Sequence, residues 1–148
     1  MLWCPVRGAM ANRVTGFRLS GAGRKRPQSA TQVLSLIHIL AISNDSRLVA
    51  AGFEDGRIKV IELATGSEIK RLERHGAQVW CLAFAPNGKV LASTSFDKTV
   101  RQWDLATGKE LSRFQPEGHL IECLAYTPDG SEIRVGHANS LIHGWQLK

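Results

Sequence analysis

His75, Ser93, Ser95 and Asp97 are of the residue types that make a nucleophilic catalytic triad. In such a set a carboxylate orients an imidazole, and the imidazole takes the proton of an attacking hydroxyl. Cys4, Cys81 and Cys123 offer thiol chemistry, and His38, His137 and His143 are metal-ligand types. Their surroundings argue against each chemistry. No glycine motif able to build an oxyanion hole accompanies the serines. The cysteines form neither a CxxC pair nor a disulfide framework, and the histidines do not fall at zinc-ligand spacing. No catalytic residue, no metal and no cofactor is expected.

These residues follow a different rule, a repeat. The segments beginning at Ile42, Phe84 and Tyr126 (Ile42-Ser43-Asn44-Asp45-Ser46, Phe84-Ala85-Pro86-Asn87-Gly88, Tyr126-Thr127-Pro128-Asp129-Gly130) start 42 residues apart. The same offset aligns Asp55, Asp97 and Asn139, then Ile61, Trp103 and Trp145, then Leu63, Leu105 and Leu147. A period of this length marks units that bury their apolar faces only by stacking on one another. In the middle copy Val79–Phe84 is apolar and β-prone, and Pro86-Asn87-Gly88 supplies a turn. Val90–Ser95 is the second strand, Asp97-Lys98 turns the chain, and residues 99–104 alternate as the third. Ala106-Thr107-Gly108, matched by Ala64-Thr65-Gly66, leads into Glu110–Phe114, a polar fourth strand suited to an exposed edge. Four strands in about 40–45 residues make one propeller blade.

Residues 37–148 resemble the WD-repeat β-propellers. Trp103-Asp104 is the signature dipeptide, weakened to Ile61-Glu62 before it and Trp145-Gln146 after it. Gly118-His119 is the companion pair, with Arg74-His75 in its place one copy earlier. The resemblance implies an all-β fold: a partial propeller of two complete four-stranded blades plus three strands of a third, in an open arc. It also implies a buried hydrogen-bond chain of His, strand Ser or Thr, turn Asp and Trp in each complete blade. The middle copy alone has the full set, with His75, Ser93 or Ser95, Asp97 and Trp103. The first copy has Ala51, Phe53 and Ile61 instead, and the third keeps His119 and Trp145 but has Asn139 for Asp. Under this reading Cys81 and Cys123 are small apolar packing residues.

Family propellers gather partner contacts on one face. Carried over, those positions are Gln78, Trp80 and Phe96 in the middle copy and Leu120, Glu122 and Ala138 in the third. In the first copy they are Leu36, His38 and Glu54. Trp80 and Phe96 are of the aromatic type that anchors interfaces. The competing reading of Trp80 is packing against a neighbouring blade.

The net charge of +6 resides wholly in residues 1–33, which hold six basic residues and no acid. The rest of the chain is neutral, so nucleic-acid binding is not expected there. Residues 1–33 read as a disordered basic leader; an organelle-targeting peptide and a nucleic-acid arm are the alternatives. Residues 34–39 also translate CTG TCT CTT ATA CAC ATC, a string resembling a sequencing-library transposon end, although Ile37 aligns with Val79 and Ile121 as a first strand. No run of eighteen apolar residues is present, so no membrane span is expected.

The expected function is a non-catalytic protein–protein scaffold with unidentified protein partners, in a cytoplasmic setting. Because the last copy stops after its third strand, the chain reads as the C-terminal part of a larger propeller, with residues 14–19 a faint candidate for the missing strand. Alone, its uncovered blade faces would favour self-association. The rival readings are nucleic-acid binding through the leader and an enzyme-associated propeller domain.

Overall fold

The alternating apolar positions of each copy give strands with two apolar faces, and the middle sheet buries both because it lies between two neighbours. The computed structural model describes residues 37–72, 75–117 and 120–147. The basic leader, the proposed strand at 14–19, Leu36, Arg74 and the Gly118-His119 pair lie outside the described residues.

The first sheet consists of β1 (Ile37–Ile42), β2 (Leu48–Phe53), β3 (Ile58–Glu62) and β4 (Glu68–Leu72). The second holds β5 (Val79–Phe84), β6 (Val90–Ser95), β7 (Val100–Asp104) and β8 (Glu110–Phe114). The third holds β9 (Ile121–Tyr126), β10 (Glu132–His137) and β11 (Ile142–Gln146). Every sheet is an antiparallel meander in chain order. The first sheet packs on the second and the second on the third, without closure. This is the all-β partial propeller: two four-stranded blades, then three strands.

Two apolar layers hold the blades together. Between the first and second sheets lie Ala50, Ile58 and Val60 from one side and Val79, Leu82, Phe84, Leu91 and Trp103 from the other. Between the second and third lie Cys81, Ala92 and Val100 against Ile121, Leu124, Ile133 and Val135. Cys81 is buried in that layer, as its small apolar character requires. Gln102 Nε2 donates to Tyr126 Oη across it (3.1 Å), and burial pushes the Tyr126 hydroxyl up to about 12 despite that bond.

The 42-residue period extends to the backbone. Ser46, Gly88 and Gly130 occupy one left-handed position, at φ of 57°, 67° and 72°. Gly56, Lys98 and Ser140 occupy another, at 84°, 64° and 66°. The first strand of every copy also carries one extra residue opposite the second strand. Val79 pairs with Ser95 and Cys81 with Thr94, which leaves Trp80 as the bulged residue. His38 and Glu122 are bulged in the same way in β1 and β9.

Candidate functional site

The turn between β6 and β7 brings Asp97 back over the start of the blade, where His75 sits just ahead of β5. His75 Nδ1 lies 2.9 Å from Asp97 Oδ2, and His75 Nε2 lies 2.7 Å from Ser93 Oγ. Trp103 Nε1 donates to the same Ser93 oxygen at 2.7 Å. The roles follow from chemistry. An ionised carboxylate only accepts, so Nδ1 carries the proton and donates to Asp97. Nε2 then accepts from the Ser93 hydroxyl, and the Ser93 oxygen accepts from the indole. A neutral imidazole satisfies all four groups at once. Burial favours that state: it pushes His75 below its ordinary value, against the opposing pull of Asp97.

Asp97 is the hub. It accepts from the Gly76 amide (2.9 Å), the Thr99 amide (3.0 Å), the Thr99 hydroxyl (2.6 Å) and Arg101 Nη2 (3.1 Å). Burial alone would raise its carboxyl, but the bonds from Thr99, Gly76 and His75 outweigh this and hold it well below the usual carboxylate range. Arg101 carries the network onward, with Nη1 3.1 Å from Glu110 Oε2 on the outer strand β8. Its place in the network has a sequence signal, since it lies four residues after Asp97 in a strand otherwise facing a core. Ser95 does not join His75; its hydroxyl donates to the Ala77 carbonyl and accepts from the Asp97 amide.

Ser93, His75 and Asp97 thus meet at triad distances, yet the arrangement differs from an active site in access. Ser93 and Trp103 are fully buried, and the Ser93 oxygen is already engaged by the indole. No substrate carbonyl reaches it in this conformation.

The third sheet departs from the middle one. Val135 stands where Ser93 would, so no hydroxyl is offered to Trp145, which stacks on Phe114 at 5.5 Å instead. His137 and His143 occupy the Ser95 and Arg101 positions and meet through His137 Nε2 and His143 Nδ1 at 2.9 Å. One nitrogen must donate and the other accept. The pairing was not foreseeable from spacing, because the two residues sit on separate strands.

Residues 30–62 and 66–104 match the family model described as WD domain, G-beta repeat. The chain carries WD repeats. WD repeats form a protein-interaction kind of domain, generally without catalysis of its own. No curated protein matches the chain.

The second candidate region of the WD segment is its aromatic row. Trp80 is half-buried; it packs against the layer between the second and third sheets and stacks on His38 at 5.1 Å. Phe96 is exposed and lies 4.8 Å from Trp80. Trp80 thus packs on the neighbouring sheet and between two rings, and remains partly exposed. Gln78 is half-buried, and its carbonyl accepts from the Phe96 amide at 3.0 Å. Leu120 and Ala138 make the corresponding bond at 3.1 Å in the third copy. Glu54, Leu120, Glu122 and Ala138 are exposed. Among the described residues no group of three or more His, Cys, Asp or Glu is arranged to hold a metal ion. No helix of the described residues is long and apolar enough to cross a membrane.

Proposed function

We propose that this WD-repeat segment is a scaffold that holds a protein partner on the face bearing Trp80 and Phe96. The observation that carries this reading is the contiguous row of His38, Trp80 and Phe96 rings on adjacent blades, both ends of it solvent-exposed. Aromatic side chains deliver large contact area for little lost rotamer freedom, and they dominate interface energetics. Glu54 and Glu122 occupy the corresponding positions on the neighbouring copies and give the row a polar rim.

Phe96 is the cleaner probe, because Trp80 also packs against the third sheet. Proximity labelling in the source cells would compare the wild-type chain with Phe96→Asp and with Leu111→Asp, an exposed position on the outer strand. The reading expects a set of labelled proteins shared by wild type and Leu111→Asp and lost in Phe96→Asp. Equal labelling by all three would remove the aromatic row from the account. Trp80→Ala should also lose the partner, and through its packed edge it should lower folding stability by about 1 kcal/mol.

A further inference from the structure

Among the described residues two sheet faces of the WD segment have no neighbouring sheet, and the repeat identifies what each one fits. Ile37, Leu40 and Ile42 on β1 are 52%, 58% and 55% exposed, whereas their equivalents one period later, Val79, Leu82 and Phe84, are 0%, 9% and 8% exposed beneath the first sheet. On the far side of the third sheet Ile142 is 70% exposed, while its equivalents Ile58 and Val100 are both fully buried. Side chains of the same kind at the same repeat position differ only in whether a blade covers them.

The covering surface is known from within the chain. The first sheet meets the second with Ile39, Ala41, Ala50, Gly52, Ile58 and Val60. Two periods later these positions are Cys123, Ala125, Arg134, Gly136, Ile142 and Gly144. Gly52 is the seat for Val79: a Cβ there would lie 2.7 Å from Val79 Cγ1 and 2.8 Å from Ile39 Cγ2. Gly136 keeps that seat, with Cys123 Sγ beside it where Ile39 stands in the first sheet. The side chain equivalent to Val79 that would fill it is Ile37. Cys123, Arg134 and Gly144 depart from Ile39, Ala50 and Val60, and the last two compensate each other. Arg134 pairs with Glu132 at 2.7 Å, and the pair lies over Gly144, 3.8 Å from where a Cβ would be. The volume that Val60 occupies in the first sheet is taken there by a neutralised ion pair.

We propose that two copies of this chain associate head to tail, the far face of the third sheet in each covering the β1 face of the other. The three described sheets of each copy then make a ring of six. Propellers have about four to eight blades, so two copies close within that range and three copies do not. Each contact is heterologous, and the twofold closes it.

Sedimentation equilibrium of the 148-residue chain across the micromolar range should give twice the 16.3 kDa chain mass. Leu40→Glu and Ile142→Arg change exposed side chains, and circular-dichroism melting should show both variants folded. Each alone spoils both contacts, and the dimer dissociation constant should rise by roughly a hundredfold or more, about 2.7 kcal/mol. An equimolar mixture of the two should recover dimer, because unaltered Leu40 of one copy then faces unaltered Ile142 of the other. A wild-type monomer overturns the proposal and leaves the β1 face to a blade of a longer chain. Disruption by Leu40→Glu but not by Ile142→Arg overturns it in favour of a β1-to-β1 contact. Growth into larger species overturns the closed ring.

Discussion

Ser93 donates to one buried ring and accepts from another, so removing its oxygen strands two groups at once. Ser93→Ala should leave His75 Nε2 and the Trp103 indole N–H unpaired in the core, at a cost of about 3 kcal/mol in urea unfolding. Ser95→Ala, which frees only the Ala77 carbonyl and the Asp97 amide near the turn, should cost less than half as much. The same chain of bonds sets an acid limb. Unfolded, His75 takes up a proton below about pH 6.5; folded, burial resists it. The unfolded state therefore binds more protons, and stability falls as pH drops from about 7 towards 5. Asp97 is held below its unfolded value, so its contribution is full above about pH 3.9 and is lost only in stronger acid. Thermal midpoints from pH 7 to 5 should slope downward for wild type and be flatter for His75→Asn; equal slopes would remove His75 from the account. The sequence named these residues because their types recur in a repeat. Which of two serines closes the chain was not legible there, since both lie on one face of β6 and the choice depends on how far along that strand His75 reaches.

Turns and bulges hold the residues in place. Gly56 and Gly88 share left-handed backbone, but their surroundings differ. A Cβ on Gly56 would lie 2.4 Å from the His75 carbonyl oxygen, whereas a Cβ on Gly88 meets nothing within 4 Å. Gly88→Ala should therefore cost only about 1 kcal/mol of backbone strain. Gly56→Ala must also move the segment carrying His75, which donates its amide to the Gly56 carbonyl at 2.9 Å, and should unfold at a clearly lower denaturant concentration. Strand order and strand ends were readable from alternation and turn residues, to within a residue at β7, which begins at Val100 and not at residue 99. The bulges were not, because one extra residue in a strand leaves the composition unchanged and shows only in the pairing.

The molecule as a whole is a stack in which each blade completes its neighbour. That property was legible in the period alone, since a unit with two apolar faces cannot be the outermost one without exposing one of them. The bulge has one more consequence at this scale. A residue with no partner across the ladder is released from the size and polarity rules that bind its neighbours. Every blade thus holds one address on a common face whose content can be rewritten while the scaffold around it stays fixed. His38, Trp80 and Glu122, an imidazole, an indole and a carboxylate at a single repeat position, show how widely that address already varies within one chain.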